Sequence, residues 1–279
     1  MPSMFLVSNR IESAYRRSIS NLLMRELPRL KGYQEIDTWV KNLAELSQNN
    51  EFISDSRRIS STMVRDVDIM NVFSWRETSR KSSGGSRASR YLHETKKGSI
   101  RAAFDTQIEL STEYISSVPY KIAYQLAKDI DSAREQGATE QGVYNIVNRR
   151  YSSLLSMKIN LISRTDPHRA STAFTEARSE DLGLNCFIWN TKDDSSVRFS
   201  HRKMNEVVVF WRELPSPEAL IGQPANLGYY AAGDCPNCRC FPFPIFSVED
   251  LFASQYKRIK VYIDGSIRFL TRSQFIKIL

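Results

Sequence analysis

Apolar side chains recur at helical spacing through the first two-thirds of the chain and alternate as in strands over the last third. Ile11, Tyr15, Ile19 and Leu22 fall on one face of the segment "NRIESAYRRSISNLLMREL", with arginines on the rest. "TWVKNLAELSQNN" repeats the pattern, and Asn49-Asn50 marks its end. Phe104, Ile108 and Tyr114-Ile115 begin a further helical run. Pro119 suits a first turn, and Ile122, Leu126 and Ile130 form a stripe beside Ala123 and Ala127. Gly137 breaks the chain and Thr139 can cap the next helix, whose core face reads Val147, Tyr151, Leu155, Ile159 and Ile162. Pro167 predicts a break near Thr165-Asp166. Ala170, Ala173, Phe174 and Ala177 then carry a new face as far as Gly183.

Beyond Gly183 the period changes. "LNCFIWN" and "EVVVFW" are dense, strand-like runs, and "KRIKVYIDGSIRFLT" is a hairpin turning at Asp264-Gly265. Between them lies a segment crowded with Pro, Gly and Asn. The fold class expected is α+β, a long helical N-terminal region followed by a small mixed C-terminal module. The expected divisions are a helical region over 1–79, a basic mobile loop over 80–100, a second helical part over 101–182 and the small module over 183–279.

Composition narrows the class without deciding function. The 279 residues are 41% apolar and 25% charged, which is globular and neither disordered nor fibrous. The net charge of +8 admits nucleic acid, an anionic surface or an acidic protein as partner. No apolar stretch approaches the roughly 20 residues that span a bilayer, and the N-terminus lacks a signal-peptide core. A chain kept in the cell that makes it holds its cysteines free or metal-bound. The basic segment carries Arg80, Lys81, Arg87, Arg90, Lys96 and Lys97 against a single acid, Glu94. It is a candidate for DNA or other anion contact, with a solvated loop as the alternative. It has no interleaved aromatics for stacking bases.

Candidate chemistry concentrates in the last third. Three of the four cysteines lie in "GDCPNCRC". Cys235-x2-Cys238 has zinc-ligand spacing, Cys240 follows closely, and Cys186 or His201 is the candidate to complete a tetrahedron. The alternative is that these are ordinary core cysteines. Asp194, Arg198 and His201 are spaced to converge across a turn, either for acid–base chemistry or as a hydrogen-bonded knot fastening loops. His168 reads as a surface residue, and His93 falls in the basic loop. No phosphate-binding glycine loop, HExxH or nucleophile elbow is present.

The order of these features resembles the phage Mu F-like head morphogenesis family, the minor head proteins of tailed phages. The resemblance covers about Ile100 to Pro244, and its most specific piece is Asn237-Cys238-Arg239-Cys240. Arg164-Thr165-Asp166 resembles the family's "ARTE"-like segment, and Trp189 its strand tryptophan. Asp194, Arg198 and His201 resemble its "D-x-R-x-x-H" element, with Arg198 here four residues after Asp194. The glycine usual past the histidine is replaced by Asn205-Glu206, and the usual Pro-Gly by Gly233-Asp234. The resemblance implies a minor capsid protein of the virion. It would act in procapsid assembly in the host cytoplasm, near the portal vertex, where DNA is packaged. Its partners would be portal, scaffolding and major capsid proteins, with packaged double-stranded DNA nearby and no membrane. The motif residues would be structural, with no catalysis and no cofactor beyond a candidate structural zinc. Two other classes stay open: a nuclease or toxin-like enzyme using Asp194, Arg198 and His201, and a zinc-clasped DNA-binding protein.

Overall fold

The computed structural model describes residues 2–92, 98–192, 194–252 and 257–279. The α+β expectation holds: 65% of the chain is helical, and five strands form one small mixed sheet near the C-terminus. The helices are α1 (Asn9–Glu26), α2 (Ile36–Glu45), α3 (Asn50–Lys81), α4 (Ser86–Tyr91), α5 (Gly98–Ser116), α6 (Val118–Glu135) and α7 (Glu140–Leu182). The C-terminal elements follow as β1 (Cys186–Asn190), α8 (Phe199–Met204), β2 (Val207–Phe210), β3 (Phe241–Pro244), α9 (Val248–Phe252), β4 (Arg258–Ile263), β5 (Ser266–Thr271) and α10 (Arg272–Ile276).

Contacts divide the chain into two compact units, each assembled from separated segments. One comprises residues 10–63 and 108–163. Its core takes Ile19, Leu22, Ile122, Leu126 and Val147 from the stripes expected from the sequence, together with Leu43, and all are buried. Trp39 packs edge-on against Tyr151, with ring centroids 5.2 Å apart, and its indole N–H donates to the Pro28 carbonyl at 2.8 Å. Caps set the helix starts. The Asn49 side chain accepts from the Phe52 N–H at 2.9 Å, so Asn49 opens α3 as well as closing the preceding run. Thr139 accepts from the Gly142 N–H at 3.2 Å at the start of α7.

The other unit comprises residues 1–9, 64–107 and 164–279 and contains the sheet. Strand order is β3-β1-β2-β4-β5, with β2 and β4 parallel and the remaining pairs antiparallel. All four residues of β2 are buried, which suits a central strand covered on both faces. Phe187, Trp189, Val207 and Val209 face one core cluster. Cys186, Val208, Phe210, Val261 and Phe275 face the other. β3 was not foreseen, because "FPFP" carries two prolines that cannot donate to a ladder. They are tolerated because β3 lies at the sheet edge. The expected hairpin forms, with Asp264 and Gly265 both at positive φ (47° and 71°).

Two expectations are corrected. First, α7 is continuous through Pro167. Thr165, Asp166, Pro167 and His168 are all buried, so packing along this stretch outweighs the lost backbone hydrogen bond, and His168 is a core residue, 1% exposed. Second, much of the segment expected to be a mobile loop is helix. α3 runs to Lys81, and α4 buries Ala88, with Leu92 just beyond it, against Phe5, Trp75, Leu182 and Phe241. Gly84-Gly85 serves close packing there, since a Cβ on Gly85 would lie 1.7 Å from the Ser79 carbonyl oxygen.

Candidate functional site: a histidine and thiol cluster

The site is built where β1, α8 and the loop before β3 meet the middle of α7. α8 is short, and its inward face carries Ser200, His201 and Met204, all buried. That places the His201 ring edge-on to Trp189 of β1, with centroids 5.6 Å apart at 83°. The loop from Ala231 to Cys240 is pinned to α7 by hydrogen bonds at three α7 residues, Thr165, Arg169 and Thr172. Thr172 Oγ1 donates to the Ala232 carbonyl at 2.6 Å. Arg169 Nε donates to Asp234 at 3.1 Å. The Asn237 N–H donates to Thr165 Oγ1 at 3.0 Å. Gly233 has φ of 95°, and a Cβ there would stand 2.6 Å from Thr172 Oγ1 and 2.8 Å from the Cys240 carbonyl oxygen.

The pinned loop brings Cys235, Cys238 and Cys240 around one imidazole. His201 Nδ1 lies 3.3 Å from Cys240 Sγ and 3.4 Å from Cys238 Sγ. Cys235 Sγ stands on the other side of the ring, 3.8 Å from Nε2. All three cysteines and the histidine are at most 4% exposed. Among the described residues His201, Cys238 and Cys240 form a group able to hold a metal ion, with ligand atoms within 4.8 Å of one another. Cys186 is not part of it. A strand alternates its faces, so Cys186 points into the opposite core cluster, where burial pushes its thiol up to about 12.

The surroundings of the thiols are cationic and hydrogen-bonded. Arg198 Nη1 donates to Cys235 Sγ at 3.1 Å, and its Nη2 to the Pro236 carbonyl at 2.8 Å. The Cys240 N–H donates to Cys238 Sγ at 3.3 Å. Burial disfavours the imidazolium of His201, and sulfur neighbours Cys235 and Cys238 favour it; the balance lies upward, at about 9. Cys238 is held up chiefly by burial. The hydrogen bond that Cys235 donates to Cys238, followed by burial, raises Cys235.

Sequence spacing anticipated part of this arrangement. Asp194, Arg198 and His201 line one small cavity of about 100 Å³ together with Asn237, Cys238, Arg239 and Cys240. They do not form a triad. Asp194 accepts from the Ser196 backbone and hydroxyl and pairs with Arg239 at 2.9 Å; the Ser196 contacts lead in lowering its pKa. The acid behind His201 is instead Glu218, whose Oε1 lies 3.8 Å from Nε2 and whose carboxylate also holds Tyr230. His201 Nε2 is 3.0 Å from the Tyr230 hydroxyl, which donates to both Glu218 oxygens at 2.9 and 2.8 Å. Neither residue had a sequence signal, since both lie in the Pro/Gly/Asn-rich segment at no motif spacing from His201.

Arg164 is exposed on α7, and Asp166 is buried beside the loop contact made by Thr165. Of the basic residues, Arg80, Lys81, Arg87 and Arg90 are exposed, with Arg80 paired to Glu77 at 2.6 Å. Lys96, Lys97 and His93 lie outside the described residues. No described helix is long and apolar enough to cross a membrane. Fold and site together define an α+β protein carrying a buried Cys/His cluster. No family model, curated protein or solved structure matches this chain.

Proposed function

We propose that this chain is a non-catalytic assembly protein of the minor head type, acting in procapsid assembly near a portal vertex. One observation carries the reading. The residues on which the resemblance rests are scattered from Arg164 to Cys240, yet the buried Thr165, Trp189, His201, Cys238 and Cys240 adjoin one another in a single knot, with the more exposed Arg198 and Asn237 fastened to its rim and Arg164 left outside it. A motif that holds loops together needs such convergence. A hydrolytic centre needs a general base with access to substrate, whereas His201 is 2% exposed and directs Nδ1 at two sulfurs.

The knot suits zinc as its cofactor. Imidazole and thiolate are zinc's usual donors, and a tetrahedral site places nitrogen about 3.5 Å from sulfur. The 3.3 and 3.4 Å separations at His201 Nδ1 lie near that value. Such a centre would contribute directly to the stability of the module. Portal, scaffolding and major capsid proteins are the proposed partners. The exposed Arg80, Lys81, Arg87 and Arg90 are the proposed contact to packaged DNA.

Affinity isolation from cells assembling heads should recover portal or scaffolding protein with this chain. The purified protein should carry about one zinc, lost in Cys238→Ala. Recovery of neither partner, or hydrolysis of DNA or RNA that disappears in His201→Ala, overturns the assembly reading.

A further inference from the structure

The Glu218–Tyr230 pair stands behind His201 with a geometry that the knot itself does not require. A phenol has one proton. Tyr230 directs it at the Glu218 carboxylate, whose two oxygens lie 2.9 and 2.8 Å away. Toward His201 the same oxygen is therefore an acceptor, and the group facing it at 3.0 Å is Nε2. Once the ring gives up one proton, as metal binding requires, an imidazole that donates from Nε2 has its lone pair on Nδ1, the atom that faces Cys238 and Cys240. Trp189 packs edge-on against the ring and restricts its rotation. Tyr230 is 4% exposed, and the Glu218 side chain 12%.

We infer that Tyr230 and Glu218 are positioning residues for a divalent metal ion: the pair holds the His201 proton on Nε2 and presents Nδ1 to an ion shared with Cys238 and Cys240. This rests on the proposed zinc reading of the cluster. Partners of this kind behind a ligating histidine fix its tautomer and orientation, and losing one typically weakens metal binding about 10–100-fold. Tyr230→Phe removes the acceptor while keeping the ring. Glu218→Ala removes the anchor, freeing the Tyr230 proton to turn toward Nε2 and favour the wrong tautomer.

The test measures zinc affinity by competition with a chromogenic chelator for wild type, Tyr230→Phe and Glu218→Ala. The imidazole nitrogens of His201 are followed by nitrogen-15 NMR with and without zinc. Expected are a loss of about 10–100-fold in each variant, zinc-shifted Nδ1 and protonated Nε2 in wild type, and an unchanged number of thiolates in cobalt spectra. Should Tyr230→Phe not fold, Glu218→Ala decides alone, because Glu218 is at the edge of the site. Wild-type affinity in the variants, or ligation through Nε2, overturns the inference and leaves the zinc reading standing. A wild-type chain that takes up no zinc overturns both.

Discussion

At the residue scale, a buried ionic network ties α7 to α3 within the sheet-bearing unit. Arg178 of α7 and Asp68 of α3 pair at 2.6 Å with side chains only 3% and 5% exposed. Arg178 also donates to Asn71 Oδ1 at 2.6 Å, and Asn71 donates in turn to Thr175 Oγ1 at 2.9 Å and to the Ser171 carbonyl. Burial works against the charge on Arg178, and Asp68 is what opposes that penalty. Removing one member leaves a charge buried alone, which costs much more than removing the pair. Asp68→Ala should therefore lower unfolding free energy by about 3–5 kcal/mol, and Asp68→Leu with Arg178→Met by much less, read from denaturant midpoints. Equal losses in both would show that the ionic network adds nothing beyond its packing volume.

At the element scale, the loop carrying the thiols depends on close backbone approach to α7. Gly233 sits at positive φ, in a space where a methyl group would meet Thr172 and Cys240. Gly233→Ala should destabilise the protein by about 1–3 kcal/mol and weaken metal uptake in parallel. Thermal unfolding with and without chelator checks both, and unchanged metal uptake would mean that the loop is positioned by its thiols alone. Elements with repeated spacing were legible from sequence. The stripes of α1, α6 and α7, the first-turn Pro119, the cap at Thr139, and the Asp264-Gly265 hairpin follow from period and turn chemistry. What sequence did not disclose depends on tertiary context. The burial that carries α7 through Pro167, the edge position that admits prolines in β3, and the packing of α4 all come from partners distant in the chain. His201 and the three clustered cysteines stood out by residue type. Tyr230 and Glu218 did not, because a second layer of hydrogen bonds needs only reach, which no local pattern encodes.

At the scale of the whole molecule, each unit has its own core, and the cluster belongs to one of them. Removal of the proposed zinc should act locally. Chelator treatment should raise amide hydrogen exchange in β1, α8 and residues 231–244 while leaving α1 and α2 protected, and uniform deprotection along the chain would contradict this. The order of the sheet has a separate consequence for how damage spreads. Every group of the cluster, from Thr165 to Cys240, lies on elements that border β1, whereas β4 and β5 stand on the far side of β2. Strain introduced at the β4–β5 hairpin therefore reaches His201 and the thiols only across β2 and through Tyr262, the one residue of that hairpin buried in the same core cluster.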